Sequence, residues 1–286
     1  MPRHLPDLPR LMVDDAVKAA LLEDWGRAGD ITSQATIPAT ARATAVIAAR
    51  KPGVLSGVAL AESAFRQTDA SLSFAADKQD GDRLEPGDVV ARISGPARAL
   101  LSAERVALNF LGHLSGIASA TALFADRIAH TKASIVCTRK TTPGLRGFEK
   151  YAVKCGGGSN HRFGLDDAIL IKDNHIAVAG GVVEAISAAK AYAGHLVKIE
   201  VEVDTLEQLH QALGAEPDVI MLDNMLPETL EKAVEITGGK ALLEASGGIE
   251  LDSVQAVAEA GVDLISSGWI THSAPVLDLG LDIEIS

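Results

Sequence analysis

The pattern of apolar and polar positions changes character near position 100 of this 286-residue chain. Before that point, apolar residues at helical spacing predict a helix over 13–22. Short strand-like runs follow: ATAVIAAR (43–50), GVLSGV (53–58) and DVVARISG (88–95), with Pro86-Gly87 and Gly95-Pro96 as turn signals. This mixture predicts a small α+β domain with the turn grammar of sandwich or half-barrel modules. Beyond it, LLSAERVALNFLGHLSGIASATALFADRIA (100–129) predicts one long helix, bent near Gly112 or Gly116. Then strand-like runs alternate with helical ones: SIVCT, DAILIKD, LVKIEVEVD, DVIMLDN, KALLEAS and VDLISSG, with helices predicted over 145–154, 176–192, 206–213, 227–236 and 251–260. Repeated β–α units predict a parallel sheet with right-handed crossovers.

A closed barrel and an open doubly wound sheet both satisfy this pattern, and no strand leads through GxGxxG into a helix. The phase of LVKIEVEVD favours the barrel. Val197, Ile199, Val201 and Val203 fall on one face, and Lys198, Glu200, Glu202 and Asp204 on the other. In a barrel the apolar face packs on helices and the charged face lines the interior. A half-exposed edge strand alternates in the same way and is the simpler alternative.

Composition narrows the partners. A net charge of −12 with 47% apolar residues fits a globular protein and argues against nucleic acid or an anionic membrane as the main partner. Two cysteines, Cys137 and Cys155, make no disulfide framework and point to a reducing cytoplasm, with Cys137 read as an inert core thiol. The N-terminal MPRHLPDLPRLMVDD lacks a secretory apolar stretch, and no uninterrupted apolar run approaches the ~20 residues of a membrane span.

Against that acidic background, residues 138–175 concentrate Arg139, Lys140, Arg146, Lys150, Lys154, His161, Arg162, Lys172 and His175 around a triple glycine. Arg146, Lys150 and Lys154 fall on the helix predicted over 145–154 and read as its solvated face. The rest fall at predicted strand ends and loops, where barrel enzymes carry their chemistry. The early ends are basic: Thr138, Arg139, Lys140, His161, Arg162 and Lys172 suit carboxylates or phosphates. The middle ends are acidic: Glu202 and Asp223 suit ribose hydroxyls, a magnesium ion or a cationic sugar carbon, or else simple ion pairs with Lys172 or Lys198. The late ends, Ser246-Gly247-Gly248 and Ser267-Gly268, let backbone N–H groups approach a phosphate, or are ordinary caps and turns. Together these ends fit a phosphoribosyl diphosphate and a small dicarboxylate. A non-catalytic barrel that senses a phosphorylated metabolite is the alternative of a different class.

The stretch TRKTTPGLRGFEKYAVKCGGGSNHRFGLDDAILIKDNH closely resembles the core motif of the quinolinate phosphoribosyltransferase (decarboxylating) family, as do LSAERVALNFLGHLSGIAS, EVEVDTLEQL, IMLDN, EASGGI and THSAPVLDLGLD. The resemblance covers essentially the whole chain. It implies an N-terminal α/β sandwich domain (1–112), an incomplete α/β barrel of about seven strands (113–272) and a C-terminal segment (273–286) returning to the first domain. It implies quinolinate and 5-phosphoribosyl 1-diphosphate as substrates, Mg2+ as cofactor, and a homodimer with shared active sites, or a higher assembly of such dimers. Carried onto this sequence, Arg105 would reach quinolinate across the dimer, and Thr138, Arg139, His161, Arg162 and Lys172 would complete that pocket. Lys140, Glu202 and Asp223 would act in catalysis, the two carboxylates also serving the metal directly or through other ligands. Ser246, Gly247, Gly248, Ser267 and Gly268 would hold the phosphoribosyl group. Trp269 departs from the family pattern, which has smaller residues there, so side-chain contacts at that loop are open.

Overall fold

The structure, a computed structural model, describes residues 5–284. The chain forms two compact units: Met1–Ala120 with Phe148–Gly157 and Ala274–Ser286, and Thr121–Gly147 with Gly158–Ser273.

The first unit is an α/β sandwich. Its strands are Arg42–Ala49 (β1), Gly53–Val54 (β2), Ser73–Ala76 (β3), Arg83–Leu84 (β4), Val89–Pro96 (β5) and the C-terminal Leu279–Glu284 (β12). They form an antiparallel sheet in the order β12-β1-β5-β3, with β2 and β4 as a separate pair. Helices Arg10–Trp25 and Val58–Thr68 pack together through an apolar stripe that includes the fully buried Val17, Leu60, Ala61 and Phe65. Phe65 meets Phe74 of β3 at 5.8 Å between ring centroids, joining helix to sheet.

The predicted long helix is present as Ala97–Arg127, 31 residues without a break. The helix is not interrupted at Gly112 or Gly116, and both glycines meet the C-terminal segment. The C-terminal segment runs directly across them. A Cβ on Gly112 would come within 2.8 Å of Val276, and one on Gly116 would collide with the Pro275 carbonyl. Small residues here allow close approach of backbone to backbone. By length and composition this helix could cross a membrane, yet most of its apolar stretch is buried as a core helix.

The helix predicted over 145–154 forms as Arg146–Cys155, but its charged residues are not a solvated face. Glu149 and Lys150 have no exposed surface. His113 bonds Glu149 at 2.8 Å, and Tyr151 donates to Asp80 at 2.9 Å. Charges this deep require partners, so the expectation fails because the segment belongs to a core.

The second unit is the incomplete α/β barrel. Its strands are Ser134–Val136 (β6), Ile169–Ile171 (β7), Ile199–Val203 (β8), Val219–Asp223 (β9), Leu242–Ser246 (β10) and Leu264–Ser266 (β11). All pairs are parallel, in the order β6-β11-β10-β9-β8-β7. Six strands are thus paired where about seven were expected. The seventh position is a single parallel bridge from Val136 to Ser159. No pairing joins Ser159 to β7 among the described residues, so the barrel is open there. The helix predicted over 176–192 is broken at Gly180-Gly181 into Asp173–Ala179 and Val182–Tyr192. In β8, Ile199, Val201 and Val203 are buried on the helix side, as their phase required. Of the four charged residues read as inward-facing, only Glu200 and Glu202 lie within the strand. Lys198 precedes it and pairs with Asp218 at 2.5 Å.

Gly116→Ala should lower stability by about 1–3 kcal/mol despite alanine's better helix propensity, because the added methyl must displace the Pro275 backbone. Chemical denaturation tests this; an unchanged midpoint would show that the C-terminal segment is only loosely seated on the helix.

Candidate active site

Each barrel strand ends in a residue that strand hydrophobicity does not require, and these ends line one cavity of about 770 Å³. Thr138, Arg139 and Lys140 follow β6, and Lys172 follows β7. Glu202 lies in β8 and Asp223 ends β9. Ser246, Gly247 and Gly248 close β10, and Ser267 and Gly268 follow β11. His161 and Arg162 enter from the loop after the Arg146–Cys155 helix. Arg105 does not line this cavity. It is an exposed residue of the first unit, beside Asn109 and Asp278 in a shallow groove.

Two loops carry most of the positive charge, and Arg146 ties them together. Its guanidinium donates to Thr141 Oγ1 at 3.0 Å and to the Arg139 carbonyl at 3.5 Å on one loop, and to the Phe163 carbonyl at 3.1 Å on the other. Thr138 Oγ1 accepts from the Lys140 backbone N–H at 3.0 Å, and Thr271 Oγ1 donates to the Lys140 carbonyl at 2.8 Å. The Lys140 backbone is therefore held from both sides while its side chain stays exposed.

Arg139 and Arg162 stand close enough for each to feel the other's charge. Burial first, and then the Arg139 charge, lower the Arg162 pKa, while Glu200 and Asp167 oppose the shift. The Nε of each guanidinium is buried without a hydrogen-bond partner. Arg162 retains one bond, from Nη1 to the Ala168 carbonyl at 3.1 Å. Two adjacent guanidiniums with unused buried donors suit a ligand carrying two carboxylates.

The acidic side is arranged differently. Lys172 Nζ lies 2.5 Å from Glu202 Oε2, so of the two expected ion-pair partners the closer cation is Lys172. Asp223 Oδ2 accepts from the Asn224 amide at 2.5 Å. Asn224 adopts φ 53, and its amide sits where any Gly247 side chain would have to go. Gly247 itself is at φ 97, so only glycine suits this turn.

At the last loop Ser267 is already committed: its N–H goes to the Val136 carbonyl at 3.2 Å and its hydroxyl to the Ile249 carbonyl at 3.1 Å. The Trp269 indole packs on Phe124 at 5.9 Å and also lines the cavity. A phosphate seated here would thus rely on glycine backbone more than on the Ser267 side chain.

The feature that sequence reasoning left out of the site lies at the cavity floor. His161 Nε2 is 2.8 Å from Glu200 Oε2 and 3.8 Å from Glu244 Oε1, while its Nδ1 accepts the Arg162 backbone N–H at 2.8 Å. The Nε2 edge of the ring faces Glu200, and its Nδ1 edge faces the chain's own backbone. Both ring nitrogens are engaged before any ligand arrives. Glu200 and Glu244 are 7% and 1% exposed. Burial, then the Glu200 charge, push the Glu244 carboxyl up to about 7, against the pull of His161 and Ser266. One donor atom from each of the three residues lies within 4.8 Å of the others. Such a set has ligand types for a transition metal, but neighbouring guanidiniums work against a cation there. The available signal was a glutamate inside the apolar run ALLEA of a strand buried on both faces. Cys137, fully buried with Sγ 3.4 Å from Asn160 Oδ1, takes no part in the cavity lining.

Known proteins resemble this chain over most of its length. The family described as "Quinolinate phosphoribosyl transferase, C-terminal domain" matches residues 117–282, and its N-terminal counterpart matches 30–115. A probable nicotinate-nucleotide pyrophosphorylase [carboxylating] of Bacillus subtilis is 47% identical, covering 93% of this chain and 91% of its own. The corresponding protein of Mycobacterium leprae is 44% identical, covering 94% and 96%. The solved nicotinate-nucleotide pyrophosphorylase from Francisella tularensis superposes with a TM-score of 0.94 at 39% identity, over 97% of this chain and 98% of that one.

Removing the Arg146 side chain (Arg146→Ala) should loosen both cationic loops while leaving the fold intact. Hydrogen exchange should quicken across 138–142 and 161–164, with a stability loss of about 1–3 kcal/mol from the broken bonds. Unchanged exchange in both segments would mean that the loops hold themselves.

Proposed function

The chain belongs to the quinolinate phosphoribosyltransferase family, and we infer from its cavity how it carries out that reaction. The enzyme transfers the phosphoribosyl group of 5-phosphoribosyl 1-diphosphate to quinolinate with decarboxylation, giving nicotinate mononucleotide, diphosphate and carbon dioxide in NAD biosynthesis. The observation that carries the assignment of the site is the pair Arg139 and Arg162, buried donors unspent, at the C-terminal end of the barrel strands. In this reading they hold the two carboxylates of quinolinate, with Thr138 and Lys172 beside them. His161 supports Arg162 from beneath. Incubation with quinolinate, 5-phosphoribosyl 1-diphosphate and magnesium, followed by release of carbon dioxide and diphosphate, tests it. Binding without turnover would support a metabolite sensor instead.

The chain's own groups then position and stabilise. The pyridine nitrogen attacks the anomeric carbon as diphosphate departs. Lys140 faces the departing negative charge, and Glu202 and Asp223 favour the cationic character of the ribosyl centre. Gly247, Gly248 and Gly268, with Ser246 and Ser267, surround the 5-phosphate. The quaternised ring nitrogen stabilises the electron pair left on the adjacent carbon as its carboxylate departs as carbon dioxide, and a proton from solvent then takes the vacated position. No covalent nucleophile is required.

Magnesium fits the oxygen-only character of Glu202 and Asp223. Glu202 would have to give up Lys172 to bind the ion directly, so contact through substrate or water oxygens suits this arrangement better. When bound, the ion neutralises the diphosphate charge. Two buried cysteines outside any disulfide suit a reducing cytoplasm.

Lys140→Ala should lower turnover roughly 30- to 1,000-fold, the loss of one charge-assisted contact worth ~2–4 kcal/mol. Near-normal rates would remove Lys140 from the chemistry. Glu202→Gln should lower kcat more than it raises the quinolinate KM; a rise in KM alone would place Glu202 in ground-state binding.

The remaining role, that of Arg105, belongs to a homodimer with shared sites. Arg105 stands exposed on the first unit, as a residue offered to a neighbouring subunit would. Arg105→Ala and Lys172→Ala, each inactive alone, should recover about a quarter of wild-type activity when mixed in equal amounts and allowed to exchange. Subunit exchange without recovered activity would sink the shared site.

A further inference from the structure

The cavity floor holds a group that the reaction's chemistry does not use. Glu244 lies on β10, 1% exposed, yet lines the same cavity as Arg139 and Arg162. Its strand neighbours bring no cation to it: Met221 of β9 and Leu264 of β11 are its register partners, and Ser266 of β11 offers only a hydroxyl. Across the barrel interior it faces Glu200 of β8 and His161 of the cationic loop. The Oε1 atoms of both glutamates are buried with no hydrogen-bond partner. His161 meets Glu200 at hydrogen-bond distance through Nε2 and stands farther, at 3.8 Å, from Glu244 Oε1.

Two buried carboxylates this close are not both ionised without cost. A proton on Glu244 removes the repulsion and leaves Glu200 as the acceptor for His161. We propose that Glu244 is a positioning residue that holds a proton at the floor of the pocket, and that this proton sets how strongly Arg139 and Arg162 bind a dicarboxylate. The inference rests on quinolinate being the ligand of those two arginines.

The sign follows from the charges. With Glu244 neutral, the guanidiniums that share its cavity present their full positive field to the dianion. Once Glu244 ionises, at about pH 7, a buried negative charge in the cavity lining opposes quinolinate. Affinity should therefore fall as pH rises through that value, on the order of three- to tenfold for one added charge near a partly screened site. By reciprocity, quinolinate bound above neutral pH should draw a proton onto Glu244.

Calorimetric titration of the wild-type protein with quinolinate tests this, at about pH 6 and pH 8 and in buffers of different ionisation heat. The expected result is weaker binding at pH 8, with net uptake of up to one proton, and loss of both effects in Glu244→Gln. Weakening and uptake that persist in Glu244→Gln would overturn the proposal and assign them to another group, such as His272 at the cavity wall. Should Glu244→Gln fail to fold, infrared spectroscopy of the wild-type protein replaces it. A protonated-carboxyl band should be present at pH 6, fade by pH 8, and return when quinolinate is added. A band that is absent at pH 6, or indifferent to quinolinate, would also overturn the proposal. No quinolinate binding at any pH would instead count against the functional reading on which it rests.

Discussion

The constraint on which this site depends is the confinement of two guanidiniums, Arg139 and Arg162, side by side at the mouth of a barrel. Like charges held together and partly out of water raise each other's energy, which the depressed Arg162 pKa reflects. The fold answers from below: Glu200 and Glu244 project into the barrel interior, and His161 bridges Glu200 to the Arg162 backbone. An acidic floor under a basic rim explains how an acidic chain sustains a strongly cationic pocket. It also leaves the arginine Nε donors open for a ligand that brings its own negative charge.

The same arrangement sorts the remaining charges by function. Lys172 is paired with Glu202, and Asp223 is engaged by Asn224, so the acidic side is restrained before any ligand or metal arrives. Arg146 spends its donors on loop backbone and a threonine and has a structural use. The loops that carry the chemistry are thus held by groups that do not themselves react, which is what placing charge to within a fraction of an ångström requires.

An open barrel suits this division of labour. Parallel pairing brings six strand ends to one rim, and the unpaired gap between Ser159 and β7 falls where the loop bearing His161 and Arg162 enters. In the other unit, Gly112 and Gly116 let the C-terminal segment lie against the long helix, where β12 then completes a sheet begun by β1. In both units small or irregular elements mark places where backbone must pass close to backbone.

Much of this was legible in the order of residues alone. The 2.0- and 3.6-residue periodicities gave the β–α alternation. The charged residues at strand ends marked the rim, because polar groups interrupt a buried strand only where it meets solvent or chemistry. The central motif carried the family. What the sequence could not decide was which charges face inward and what each one meets. Lys150 and Glu149 read as a solvated face because helical spacing shows a face but not what packs on it. What Gly112 and Gly116 pack against was equally hidden, because glycine signals conformational freedom and close approach alike. Glu244 stood in plain view inside an apolar run, but its partners Glu200 and His161 lie 44 and 83 residues away along the chain. Only the closing of the sheet brings them together, and a proton-holding pair exists only where two carboxyls share one dry space.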